Sequence, residues 1–161
     1  MRVIAIDPGY ERLGIAVLEK ENTGKEKLIF SECFKTSKDL YHHQRLNLIG
    51  QKIKEVIKDY YPEHLAIENL FLNTNQKTAM LVSEARGVIL YEASLNKISC
   101  NEFSPPQIKL AVTGNGRADK TAIKKMILMI LGIKKDIKYD DEYDAIAVGI
   151  TFFANKRYPH F

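Results

Sequence analysis

The chain has 161 residues, a length that fits one compact domain around a single sizeable core. Hydrophobic residues make up 45% and charged residues 27%, with a formal net charge of +4, an ordinary globular balance that permits a polyanionic partner. No apolar stretch approaches the roughly 18 residues of a membrane span, and the first residues lack a secretory leader's pattern, so a cytoplasmic protein with no membrane contact is expected.

Val3 to Ile6 is a short apolar run stopped by Asp7-Pro8-Gly9, which reads as a strand ending in a tight turn. Leu13 to Leu18 and Leu28 to Phe34 follow as strands around the polar hairpin loop Glu21 to Lys25, giving an antiparallel meander. The pattern then changes period. Leu46, Ile49, Ile53, Ile57 and Tyr60 form the stripe of a helix ending before Pro62. Leu65 to Ile67 is a short strand ending in Glu68, and Gln76 to about Asn96 is a second helix. Ile98 to Phe103 reads as a fifth strand, with a short helix started by Ser104-Pro105-Pro106 and broken at Gly114-Asn115-Gly116. A helix closed by Gly132 follows, and the last runs from about Asp141 to Lys156, buried along Ala145 to Ile150. The order implies an α/β fold: three antiparallel strands plus two parallel ones in a mixed sheet flanked by helices. Residues 1–157 read as one domain, with 158–161 a short tail. Cys33 and Cys100 make no disulfide framework and are expected to be reduced core thiols.

Four carboxylates stand at element ends: Asp7, Glu68, Asp141 and Asp144. Hard oxygen ligands of this kind suit Mg²⁺, and two such ions can position a water and neutralise a leaving oxygen at a phosphodiester. Glu68 directly follows Leu-Ala-Ile, where a charge is costly unless paired or metal-bound. Asp141 and Asp144 share a helix face, as do Asp140 and Asp144, so spacing leaves Asp140 and Asp141 both open. Acids in a first helical turn also stabilise the helix dipole with no catalytic role, and Asp-Pro-Gly is ordinary turn chemistry.

The motifs carry a family resemblance. Asp7-Pro8-Gly9 with Leu13-Gly14-Ile15-Ala16-Val17 resembles the opening of RuvC-type Holliday-junction resolvases, and Ile67-Glu68-Asn69-Leu70-Phe71 their second acidic motif. Glu84-Ala85-Arg86-Gly87 is similar to the family's Gln-Ala-Arg-Gly signature, and Asp141 to Ala147 to its closing acidic helix. The resemblance implies an RNase H-like fold and a homodimer that nicks two opposed strands of four-way junction DNA. It further implies two Mg²⁺ ions per site, with Mn²⁺ as a substitute, and RuvA–RuvB branch-migration proteins as partners. The family's spacing selects Asp141 over Asp140. Asp7, Glu68, Asp141 and Asp144 are thus the expected catalytic and metal-binding set, with Phe71, Arg86, Lys109, Arg117, Lys120 and Lys124 on the DNA.

Lys109, Arg117, Lys120 and Lys124 also fit a plain solvated face, and Phe71 a core edge as well as a wedge against an unstacked base. Glu84 stands where the family has glutamine, which leaves open an effect on DNA or a pair with a nearby lysine. His42 and His43 lack zinc-site spacing and are expected to be polar residues at a helix start. Two rivals remain: another RNase H-like nuclease such as the YqgF type acting on RNA precursors, and an inert junction-binding module.

Overall fold

A computed structural model describes residues 1–70 and 76–157. The chain opens with β1 (Arg2–Asp7), β2 (Arg12–Lys20) and β3 (Glu26–Lys35), then passes through α1 (His42–Tyr60) to β4 (His64–Glu68) and through α2 (Gln76–Leu95) to β5 (Ser99–Phe103). Helices α3 (Pro105–Thr113), α4 (Lys120–Leu131) and α5 (Asp140–Arg157) complete it. The sheet order is β3-β2-β1-β4-β5, with β1–β2 and β2–β3 antiparallel and β1–β4 and β4–β5 parallel. This is the mixed sheet that three hairpin-linked strands and two helical crossovers dictate.

The strict alternation of side chains along each strand divides the core into two layers. Ile4, Ile6, Leu13, Ile15, Val17, Leu65 and Ile67 face α1 and α2. Val3, Ala5, Ala16, Leu18, Ala66 and Phe103 face α3, α4 and α5. Helix α5 is buried from Ala145 to Phe153, as its apolar stretch predicts. Its approach to the sheet depends on two glycines. A Cβ on Gly14 would fall 2.0 Å from the backbone oxygen of Asp141, and one on Gly149 would fall 2.4 Å from Leu18 Cδ1. Backbone therefore packs on backbone at the start of α5.

Most predicted elements stand within two or three residues of their expected limits, and α4 ends at Gly132 in the left-handed region. The first helix starts earlier than its apolar stripe, because the exposed turn from His42 carries no apolar signal. The cysteines correct an expectation: neither is a core thiol, since Cys33 is half-buried and Cys100 is exposed on the edge strand β5. No described helix is long and apolar enough to cross a membrane. The expected tail, 158–161, lies outside the described residues.

Overpacking a close contact of this kind costs about 1–3 kcal/mol. Gly149→Ala is therefore expected to lower the melting temperature by roughly 2–10 °C in a thermal scan. Gly14→Ala, which meets backbone and not a flexible leucine tip, should cost at least as much. An unchanged melting temperature for both would show that α5 is free to lift from the sheet.

Candidate active site

Sheet register brings the acids together. Asp7 closes β1 on the face set by Val3 and Ala5, and Glu68 closes β4 on the face set by Ala66, so both side chains aim toward α5. Ile6 pairs with Ile67, which places the two acids side by side, one step further along parallel strands. Gly14 pairs with Asp7 and admits the first turn of α5, which carries Asp141 and Asp144 against the same end. The charges of Glu68, Asp144 and Asp141 all act on Asp7. The four predicted acids gather at one end of the sheet, Glu68 and Asp144 lining one cleft and Asp141 the neighbouring one.

The neighbours of α5 separate the remaining acids. Asp140 turns outward to Lys124, 2.6 Å away, and to Lys120, 3.6 Å away. Glu142 turns inward, where its buried carboxylate accepts from Ser31 Oγ and Lys135 Nζ, each at 2.6 Å. Asp140 is thus engaged by the outer lysines, while the charge of Asp141 acts on Asp7. Lys120 Nζ lies 3.5 Å from Asp144, and Lys109 joins Lys120, Glu68 and Asp144 around the cleft.

Other predicted DNA-binding residues are more dispersed. Arg117 is exposed beside the Gly116 turn, and Lys124 is held by Asp140. Arg86 packs at the edge of the sheet against Glu102 at 2.7 Å, with its Nε buried and without a hydrogen-bond partner among the described residues. Phe71 lies outside the described residues. Glu84 pairs with His42 Nε2 at 2.8 Å, not with a lysine, and His42 Nδ1 shares a hydrogen bond of 2.8 Å with the Tyr10 hydroxyl. That chain ties the turn after Asp7 to both α1 and α2.

Sequence reasoning missed two neighbours of Asp141: Arg12, whose Nη1 is 4.0 Å away, and Cys33, whose Sγ is 3.8 Å away. The signal was available in the hairpin register. Arg12 shares a sheet face with Gly14, and Cys33 pairs with Gly14 from β3.

The chain matches the family model "Crossover junction endodeoxyribonuclease RuvC" over residues 3–152. It is 39% identical to the enzyme of that name from Brachyspira hyodysenteriae, covering 98% of this chain and 96% of the relative. It is 41% identical to that of Caldicellulosiruptor saccharolyticus, covering 93% and 90%. Among solved structures, Thermus thermophilus RuvC in complex with Holliday junction substrate superposes with a TM-score of 0.92 at 30% identity, covering 98% of this chain and 95% of that one.

The cleft is short of positive charge. The Asp7 carboxyl is raised well above the usual carboxylate range, first by burial and then by Glu68, Asp144 and Asp141, with Lys120 countering weakly. Glu68 is raised to about 7 by burial first and Asp144 second, against Lys120 and Lys109, and burial raises Asp144 as well. Among the described residues, no group of three or more His, Cys, Asp or Glu is arranged so that it could hold a metal ion. The fit to hard cations rests on the donor chemistry: carboxylate oxygens alone, crowded around one buried member.

A carboxyl whose folded pKa is raised adds stability that is complete below the unfolded carboxylate range, near 4, and is lost as pH rises through the folded value, here about 7 for Glu68. The metal-free protein is therefore expected to melt lower at pH 8 than at pH 5. Asp7→Asn should raise its melting temperature at pH 8 by roughly 2–6 °C and by less at pH 5. A gain that is the same at both pH values would contradict this electrostatic account.

Proposed function

Because the chain belongs to the RuvC family of crossover junction endodeoxyribonucleases, we propose that this cleft resolves four-way (Holliday) DNA junctions in recombination and repair, by nicking two opposed strands. The chain is an endodeoxyribonuclease with an RNase H-like fold. The observation that carries the reading is the convergence of Glu68, Asp141 and Asp144 on the buried Asp7.

Asp7, Glu68, Asp141 and Asp144 would hold two Mg²⁺ ions, with Mn²⁺ as a substitute, supplying an activated water and charge neutralisation at the departing 3′ oxygen. The chain's own residues do the positioning. Strand pairing sets Asp7 beside Glu68, and Gly14 admits the α5 acids next to them. Lys109 and Lys120 draw the polyanion toward a site that would otherwise repel it. No histidine base is required, because the work is orientation and electrostatics, and the products carry 5′-phosphate and 3′-hydroxyl ends.

Cutting both strands of a symmetric junction calls for two copies of the site, hence a homodimer. Helix α2 offers a surface suited to a two-fold contact: Met80, Tyr91 and Leu95, each more than 60% exposed, recur along one face. Phe71, just beyond the Glu68 strand, acts as the wedge against an unstacked base at the crossover. The RuvA–RuvB branch-migration complex is the partner and the cytoplasm the place of action that family membership supports.

Asp7→Asn is expected to keep its affinity for a synthetic four-way junction while losing nicking in Mg²⁺ by roughly 10³-fold or more. Retained nicking would remove Asp7 from the mechanism. Phe71→Ala should reduce junction distortion, read by fluorescence transfer between arm ends, more than it reduces duplex binding. Equal losses on both would speak against the wedge.

A further inference from the structure

Arg12 begins β2 on the same sheet face as Asp7 and Glu68, yet neither the acidic motif nor the chemistry above uses it. Its side chain is 57% exposed and stands 4.0 Å from Asp141. Directly across the strands lies Lys35. The Lys35 ammonium sits 3.6 Å from the centre of the Tyr139 ring, and the Arg12 guanidinium 5.7 Å from the same ring. Like charges placed opposite each other on neighbouring strands destabilise the pair. An exposed ion pair such as Arg12–Asp141 contributes about 0–1 kcal/mol and offsets little of that. Lys35 forms no ion pair with any described residue. The fold therefore keeps two cations together, against their repulsion, at the rim of an acidic cleft.

The position of that rim gives the pair a use. Lys109 and Lys120 stand at the Glu68 and Asp144 side of the cleft, while Arg12 and Lys35 stand at the Asp141 side. A nucleic-acid strand laid across Asp7 leaves the cleft in both directions, and each direction carries further phosphates. A groove that includes Arg12 and Asp141, walled on its other side by Thr78, Leu81 and Val82 of α2, lies beside this rim. The guanidinium fork matches a phosphate's oxygens, and the Tyr139 face holds the two cations without neutralising them.

We propose that Arg12, supported by Lys35 and Tyr139, binds the DNA phosphate that flanks the scissile one on the Asp141 side. The proposal rests on the junction-nuclease reading. It names a second anchoring surface, across the cleft from the lysines already assigned.

The test uses the full chain carrying Asp7→Asn, so that binding is read without cleavage, on four-way junctions bearing one neutral methylphosphonate at successive positions around the cut. One position on the Asp141 side should weaken binding about tenfold, separately from any loss at phosphates that face Lys109 and Lys120. Adding Arg12→Gln should weaken binding to the unmodified junction by a similar factor, abolish sensitivity at that position alone, and reduce the salt slope by about one unit. Arg12→Lys should retain part of the sensitivity, and Lys35→Gln should diminish it. An unchanged methylphosphonate profile in Arg12→Gln would overturn the assignment. So would an Arg12→Gln chain with Asp7 intact that binds the junction normally and differs only in its nicking rate at saturating junction, which would make Arg12 a partner of Asp141 and not of DNA. Failure of the unaltered chain to nick junctions in Mg²⁺ would count against the nuclease reading by itself, since the phosphate map does not depend on cleavage.

Discussion

Contact between the backbone of α5 and the backbone of β2 sets the geometry on which everything else depends. Side chains keep most helices about 10 Å from a sheet, and at that distance acids on a helix would stand clear of acids on a strand. Gly14 removes the obstacle where Asp141 passes, and Gly149 does so two turns further on. The helix settles against the two central strands, and the carboxylates of three separate chain segments share one volume. The acid cluster is in this sense a product of a missing side chain.

That arrangement stores electrostatic tension. Burial and like charge both oppose ionisation of Asp7 and Glu68, and among the described residues one lysine ammonium, Lys120, reaches the cluster at ion-pair distance on the Asp144 side. The folding energy comes from elsewhere: two apolar layers, one on each face of the sheet, hold the strand ends whatever the state of the acids. Cations then gather at the rim and not at the centre. Asp140 draws Lys124 outward, and Arg12 and Lys35 stack on Tyr139. A floor of negative charge inside a positive rim is the distribution that draws a polyanion in and leaves room for hard cations beneath it.

Much of this was legible in the sequence. The turn of Asp7-Pro8-Gly9, the stripe of α1, the Gly132 stop and the apolar run of α5 each carry a local signal, and the structure honours them. The four acids were singled out by the family motifs, since spacing alone left Asp140 and Asp141 both open. Their convergence followed only from register, since period-two alternation decides which face Asp7 and Glu68 take. Arg12 was overlooked for the same reason: it looks like an ordinary turn-side cation until pairing with β3 sets it beside Lys35 and Asp141. Burial of the cysteines was misjudged because β3 and β5 are edge strands, a fact of sheet order that no local pattern encodes. The Glu84–His42–Tyr10 chain joins residues from three elements, and no local pattern in the sequence announces it.

The first turn of α5 places three consecutive acids in three environments: Asp140 with outer lysines, Asp141 in the cleft, and Glu142 enclosed by Ser31 and Lys135. Successive residues are about 100° apart around a helix axis, so these contacts fix the rotational phase of the whole rod. Adding or deleting one residue inside α5, between Glu142 and Gly149, would leave composition and hydropathy nearly untouched. It would nevertheless turn the three acids by about 100° relative to Gly149, or else strand an uncompensated glutamate indoors. Natural length variation should accordingly be tolerated in the β2–β3 hairpin and forbidden in that stretch of the helix.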